Sequence, residues 1–122
     1  MSEAIGRYAQ AVTLRFDVSE DDDLTSAPMD FRGVAGGVLV MPSAWTAASI
    51  GFKVAESEDG APVPLYDSYG NLVQVSSPAA DGAYELPAAV YGAHYVWLWS
   101  QDGSGTNVAQ AADRDVVVMV KS

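Results

Sequence analysis

The chain is predicted to be an all-β, antiparallel β-sandwich of about eight strands, and three observations predict it. Large apolar residues alternate with polar or small ones in several separate segments, which is the period-two pattern of strands that bury one face. Turn sequences separate most of these segments, and no stretch shows the period of an amphipathic helix. Jelly-roll connectivity fits this spacing, and a small barrel is the alternative architecture.

The strands of the first half follow from the spacing of the large apolar side chains. Between residues 8 and 18 these side chains occupy every second position, and between residues 48 and 55 they occupy the even positions. Residues 34–41 form an apolar run that contains Gly36 and Gly37. Paired glycines in a strand indicate a bulge or the close approach of another backbone.

Turn and breaker residues divide the second half of the chain. The Asp-Gly pair at 59–60 is a common hairpin turn. Pro62 and Pro64 restrict the next segment to a sheet edge, because proline donates no backbone hydrogen bond. Two long strands, at residues 95–100 and 114–120, close the chain. The side chains expected in the core share the period-two placement; they are Val12, Leu14, Phe16, Ile50, Phe52, Val54, Val96, Leu98, Val116 and Val118.

Length and composition limit the classes of function. The 122 residues are enough for one domain, residues 1–122, with a single core. Sixteen acidic residues against six basic ones give a net charge of -10, which argues against a nucleic-acid binder because phosphate contacts need clustered lysine and arginine. The chain has no cysteine, so neither disulfides nor thiol chemistry contribute.

The ends and loops of the chain carry further expectations. The first seven residues lack the charged and apolar regions of a secretory signal, and no apolar run approaches the ~20 residues of a membrane span. We therefore expect a protein that is made in a cytoplasm and does not bind a membrane. Residues 1–7 and 19–30 are interpreted as a flexible arm and a flexible loop that become ordered on docking.

The loop at residues 19–28 contains a run of four consecutive acidic residues. Such a run is usually a solvated loop tip. A calcium site at Asp21, Asp22 and Asp23 is the alternative, because calcium prefers several oxygen ligands on a flexible loop. The spaced ligands and the turn glycine of an EF-hand loop are absent from this run.

No group of residues predicts catalysis, a transition metal or a cofactor. His94 is the single histidine, and no second histidine or cysteine exists to complete a zinc site or a base–nucleophile pair. The glycines at 103 and 105 do not lie between a strand and a helix, so no phosphate-binding loop is indicated. Arg114 shares a strand face with core valines, and we expect it to cap the edge of the core and pair with a carboxylate. We expect a protein that is not an enzyme.

The aromatic strand at residues 95–100 allows two interpretations. Tyr95, Trp97 and Trp99 share one face by the two-residue period, while Val96 and Leu98 share the other. In one interpretation the tryptophans are core residues. In the other they face outward and bury against a neighbouring copy or stack on a sugar. For the outward interpretation the predicted partner interface consists of Tyr95, Trp97, Trp99 and Trp45.

Several short sequences carry a resemblance to a known class of protein; they are residues 36–40, 42–53, 65–67, 70–73, 84–87, 95–101 and 110–114. Together they resemble small proteins encoded among the virion structural genes of tailed bacteriophages, over roughly residues 30–121. The resemblance implies a particle component, a head decoration (cement) protein on the capsid surface that binds the major capsid protein and stabilises the capsid. It implies no catalytic residues.

A weaker likeness, through residues 45–52 and 95–100, is to discoidin-like sugar-binding β-sandwiches. It supports the same fold and implies an alternative function, a carbohydrate-binding module on a tail or fibre.

The expected assembly is a homo-oligomer, a trimer, on the outside of a phage head. If Val96 and Leu98 point into the core, then Tyr95, Trp97 and Trp99 form an outer apolar stripe that is too large to leave in water. Closed cyclic symmetry buries such a stripe without leaving a growing end. The acidic charge keeps the copies dispersed until they dock.

Overall fold

The fold was analysed in a computed structural model, which describes residues 9–20 and 24–122. These residues form nine strands and two short 3-10 segments. The strands are β1 (Ala9–Phe16), β2 (Met29–Asp30), β3 (Gly36–Val40), β4 (Ser49–Ala55), β5 (Val63–Pro64), β6 (Gln74–Val75), β7 (Ala83–Glu85), β8 (Tyr95–Gln101) and β9 (Arg114–Lys121). The 3-10 segments are Val18–Glu20 and Ala88–Gly92. In this part of the chain no helix is long and apolar enough to cross a membrane.

The strands form two antiparallel sheets. The four-stranded sheet has the order β1-β9-β3-β7, and the five-stranded sheet has the order β2-β8-β4-β5, with β6 also paired to β4. The prediction of an all-β antiparallel sandwich is therefore confirmed. The proline-containing β5 lies at the edge of its sheet, as the two prolines predicted.

The strand pairs show the jelly-roll connectivity that the turn spacing allowed. The pairs nest inside one another along the chain: β4 pairs with β5 and β6, β3 with β7, β2 with β8, and β1 with β9. The chain thus folds back on itself as one long antiparallel ribbon. Rolling that ribbon adds the β3–β9 and β4–β8 pairs and divides the strands between two sheets.

The core lies between the two sheets and follows the period-two pattern of the sequence. Eight of the ten expected core residues are buried, and the other two, Val12 and Val54, are half-buried and pack against the core. The buried cluster consists of Leu14, Phe16, Met29, Phe31, Val34, Leu39, Met41, Ile50, Phe52, Val73, Val75, Leu86, Val90, Val96, Leu98, Val116, Val118 and Val120.

Gly37 marks the close backbone approach that the paired glycines indicated. A Cβ atom at Gly37 would lie 2.9 Å from the backbone oxygen of Met119 and 2.9 Å from Cδ1 of Leu86. The β3–β9 register runs without a bulge from Gly36 opposite Lys121 to Val40 opposite Val117. The glycine is therefore needed for space at a regular strand pair.

The segments expected to be flexible fall partly outside the described residues. The arm at residues 1–7 lies outside them. Within the predicted loop at 19–30, the segment from residue 24 onward runs beside β8. Backbone N–H groups of Ser26 and Ser100 donate to the oxygens of Leu98 and Leu24, at 2.9 and 2.7 Å. This part of the expected loop is hydrogen-bonded to the five-stranded sheet.

Candidate functional site

The outer face of the five-stranded sheet contains the aromatic residues of β8. Val96 and Leu98 belong to the core, so Tyr95, Trp97 and Trp99 lie on the opposite face, as the alternation predicted. The β4 residues directly across are Ala55 opposite Tyr95, Lys53 opposite Trp97, and Gly51 opposite Trp99. The aromatic side chains lie on the outer face, as the sequence predicted. The residues that surround them there differ from the open stripe that the sequence led us to expect.

The ring of Trp99 is covered by its own chain and is only 3% exposed. Gly51 leaves room for the ring, because a Cβ atom there would lie 2.8 Å from Cε3 of Trp99. The Lys53 ammonium group lies 4.7 Å from the ring centroid, at the distance of a cation–π contact. The indole Nε1–H donates a 2.8 Å hydrogen bond to Oδ1 of Asn107.

The glycine-containing loop after β8 closes over this tryptophan. Buried Gln101 organises the loop: its Oε1 accepts hydrogen bonds from the backbone N–H groups of Gly103 and Gly105, at 2.6 and 3.1 Å. Both glycines have positive φ angles, of 101° and 96°, which favour glycine. A Cβ atom at Gly105 would lie 3.6 Å from Cη2 of Trp99. The loop after β8 thus covers Trp99.

The remaining β8 aromatics are also held by neighbours in the same chain. Trp97 is 8% exposed. The Arg32 guanidinium lies 5.2 Å from the ring centroid of Tyr95 and donates a 3.0 Å hydrogen bond to its hydroxyl. Arg32 also forms an ion pair with Asp30 at 2.8 Å. Side-chain and backbone hydrogen bonds from Arg32 lower the pKa of Asp30 from 3.8 to about 2.

Trp45, the fourth residue of the predicted interface, lies at the edge of the core. Its ring meets Phe16 edge to face, with centroids 5.4 Å apart and an interplanar angle of 71°. Its Nε1–H donates to the backbone oxygen of Ala48 at 3.1 Å. The expectation of an outer stripe that only a partner can keep from water is therefore wrong for Trp97 and Trp99. The assignment of these residues to an interface stays a prediction.

Arg114 forms part of a polar network that joins the ends of β8 and β9. Its Nε–H and an Nη–H donate to Oε1 of Gln110 and Oγ1 of Thr46, at 3.2 and 3.1 Å. Buried Gln110 also donates to the Thr46 backbone oxygen at 3.1 Å and to Oγ of Ser100 at 3.0 Å. The expected capping position is found. Its hydrogen-bond partners are an amide and a hydroxyl in place of the expected carboxylate.

The residues considered for metal binding and proton transfer do not form a site in the described part of the chain. His94 is exposed, and its Nδ1 lies 3.4 Å from the backbone oxygen of Glu56. No cluster of three or more histidine, cysteine, aspartate or glutamate side chains in the described ranges is placed to hold a metal ion. The calcium site considered at Asp21, Asp22 and Asp23 lies outside the described residues.

The outer face of the four-stranded sheet is an apolar surface that the sequence interpretation missed. Met119 is 43% exposed there, and its neighbours on the face are exposed or half-buried. We call this surface the apolar face; it consists of Ala11, Thr13, Val38, Val40, Ala83, Val117 and Met119. A groove of about 550 Å³ lies at one end of it, between β1, β9 and β3.

The charges around the apolar face differ from those of the whole chain. The outward side chains of the four strands include two basic residues (Arg15 and Lys121) and two acidic ones (Glu85 and Asp115), a balance of zero against -10 for the chain. Arg15 pairs with Asp115 at 2.8 Å at one end of the face. The hydrogen bond from Arg15 holds the pKa of Asp115 below its ordinary value.

A signal for this face was present in the sequence. Residues 116–120 are apolar on both strand faces, as residues 95–99 are. Only the register shows that Val117 and Met119 meet further small or apolar residues on β1 and β3, and that those side chains point outward.

Comparisons with known proteins give one informative result. No family model matches the chain, and no curated protein matches its sequence. Among solved structures, the crystal structure of the SPBc2 prophage-derived protein YomS is similar, with a TM-score of 0.54 and 13% sequence identity. The similarity covers 94% of this chain and 96% of that chain. At this identity the comparison shows a shared fold: a prophage-derived protein has the same architecture along nearly its whole length.

Proposed function

We propose that the chain is a non-enzymatic structural protein of a tailed-phage virion. Its proposed role is that of a head decoration protein, which binds the major capsid protein on the capsid surface and stabilises the capsid. The sequence resemblance to small virion structural proteins supports this role, and so does the fold shared with a prophage-derived protein. The observation that carries the proposal is an apolar, nearly neutral face on a strongly acidic chain.

That combination suits a protein that is dispersed before assembly and docked after it. The net charge of -10 makes free copies repel one another at long range. The apolar face lacks this excess of acid, so another surface can approach it without like-charge repulsion. Exposed apolar patches rimmed by polar residues are typical of protein–protein contact sites.

Carbohydrate binding on a tail or fibre remains the alternative function, and the structure favours it less. Sugar stacking needs an accessible aromatic ring with polar groups around it. The rings of Trp97 and Trp99, on which this interpretation depended, are buried within the single chain, and Trp99 is covered by β4 and by the loop after β8. Assembly through the apolar face needs no rearrangement of those rings.

Self-association is part of the proposal. The expectation of three copies depended on an outer aromatic stripe, and the chain itself covers most of that stripe. The apolar face offers copies another surface on which to meet.

The test is an add-back experiment with heads from the phage that encodes the chain. Heads produced without the gene should disrupt at a lower temperature than wild-type heads. Added chain should bind them saturably and restore the lost thermal stability, because ligand binding to the assembled state stabilises it by mass action. An unrelated small protein of similar negative charge is the control. Heads that neither contain nor bind the chain would refute the decoration role.

A further inference from the structure

The outward residues of β9 form a charge pattern that is complementary to itself. In order along the strand they are Asp115, Val117, Met119 and Lys121: an acid, two apolar residues and a base. Val118, which points into the core, lies at the centre of this series, three residues from each charged end. A second β9 laid over the first in the opposite direction would place each base over an acid.

From this pattern we propose that two copies of the chain associate face to face through the apolar face. The two-fold axis lies in the interface, perpendicular to β9, and passes over Val118. Each charged residue is ~10 Å from that axis, since a strand rises ~3.3 Å per residue. The rotation therefore brings Lys121 of each copy over Asp115 of the other, and Val117 over Met119.

The strands beside β9 fit the same axis. Val118 pairs with Val12 on β1 and with Leu39 on β3, so one row of core residues runs under the axis. The rotation places the outward side chains on one side of that row over those on the other side in the second copy. Val38 then faces Val40 of the other copy, and Ala11 faces Thr13. No outward residue of β3 is charged, and those of β1 include a charge only at Arg15, which is already paired with Asp115.

The charge balance favours a second copy as the occupant. Each chain carries -10, yet the outward side chains of the strands that meet balance to zero in each copy. In the contact Lys121 of each copy joins the Arg15–Asp115 pair of the other. Glu85, which faces outward beside Val38, lies over Ala83 of the other copy. A two-fold contact uses the same patch on both copies, which requires this kind of self-complementarity.

The size of the face predicts a weak dimer. Four strands of eight, eight, five and three residues, ~4.8 Å apart with ~3.3 Å per residue, cover roughly 380 Å² per copy. A standard stable interface buries about 800 Å² per partner, so this contact is about half that size. We expect a concentration-dependent dimer in solution, which becomes effective where many copies lie side by side on one particle.

Sedimentation velocity on the full chain, from about 10 μM to about 1 mM, tests the proposal because weak dimers dissociate in this range. Wild type should shift from monomer to dimer. Met119→Glu should weaken the dimer by about tenfold or more, because it places two carboxylates in the apolar centre of the contact. Tyr69→Glu is the matched control, because Tyr69 is 89% exposed at a distant turn, and it should dimerise as wild type does.

A charge exchange tests the two-fold geometry. Lys121→Glu and Asp115→Lys should each weaken the dimer by about tenfold, and the double variant should recover to within about threefold of wild type. Circular dichroism and thermal unfolding establish that each variant is folded. Recovery in the double variant supports the axis over Val118.

Several results would overturn the proposal: a wild-type monomer at all concentrations, a trimer, a dimer indifferent to Met119→Glu, or a charge exchange without recovery. The measurements use no heads, so failure here leaves the decoration role standing, and failure of head binding leaves the dimer standing.

Discussion

Replacing Trp99 by alanine should destabilise the fold by about 3–5 kcal/mol, the usual cost of removing a buried tryptophan side chain. The ring is 3% exposed and fills the space between Gly51, Lys53 and the loop after β8. If Trp99 instead belonged to an exposed stripe, its removal would cost the isolated chain well under ~1 kcal/mol. The loss of stability therefore distinguishes a ring that is buried by its own chain from a ring that is exposed in the free chain.

The contacts divide this cost into parts. The cation–π contact with Lys53 contributes about 0.5–1 kcal/mol, and the Nε1–H bond to Asn107 contributes about 1 kcal/mol. Burial of the ring supplies the remaining ~2–3 kcal/mol. Trp99→Phe keeps a ring over Gly51 and loses the indole N–H, so it should cost only about 1–2 kcal/mol.

Gly51→Ala provides a second test of the same packing. The added Cβ would lie 2.8 Å from Cε3 of Trp99, and overpacking of this kind costs about 1–3 kcal/mol. In the background of Trp99→Ala the ring is gone, and Gly51→Ala should cost less than it does in wild type, because only the Gln101 side chain, at 3.3 Å, remains close to the added Cβ. Additive costs in this double-mutant cycle would mean that the ring does not rest on Gly51.

Urea unfolding followed by far-ultraviolet circular dichroism measures these costs without depending on tryptophan fluorescence. Tyr69→Ala is the control, because that side chain is 89% exposed and its removal should change the free energy of unfolding by no more than about 0.5 kcal/mol. A loss below ~1 kcal/mol for Trp99→Ala would refute the burial argument and restore the interpretation of β8 as an open interface.

Two further predictions concern β3 and the Asp30–Arg32 pair. Gly37→Ala should cost about 1–3 kcal/mol in urea unfolding, because its Cβ would meet the Met119 backbone oxygen at 2.9 Å. Gly36→Ala, whose Cβ would meet nothing closer than 3.9 Å, is the matched control, and equal costs would contradict the argument. The folded pKa of Asp30 is about 2, below 3.8, so its ionised form stabilises the fold above about pH 4, and this contribution is lost as the pH falls through about 2. Thermal unfolding of wild type and Asp30→Asn should show a small difference that shrinks between pH 4 and pH 2; a difference that grows toward acid would have the wrong sign.

The sequence predicted the parts of the fold that depend on one strand at a time. Alternation placed Leu14, Phe16, Ile50 and Phe52 in the core, because a strand that buries one face repeats every two residues. Strand order was open, since pairing joins residues as distant as Ala9 and Lys121. The turns limited the architecture to a jelly-roll sandwich or a barrel, and the nested strand pairs in two sheets show that it is a jelly roll.

The exposed apolar surface was harder to predict because it depends on what covers each strand. The aromatic residues of β8 were expected to form the interface, rather than the valines of β9, because a tryptophan has more apolar surface area. The Trp99 ring packs against Gly51, which has no side chain to exclude it, and a loop held by Gln101 closes over it. An alternation pattern shows neither feature. Met119 has no such cover, so the exposed apolar surface lies on the other sheet.

The measurement that tests the proposed decoration role most directly is a cryo-electron microscopy map of intact particles of a phage that carries the gene. The proposal predicts density for this jelly-roll sandwich on the outside of the head, in contact with the major capsid protein. Complete particles whose heads lack that density, or in which the chain occurs only in the tail, would contradict it.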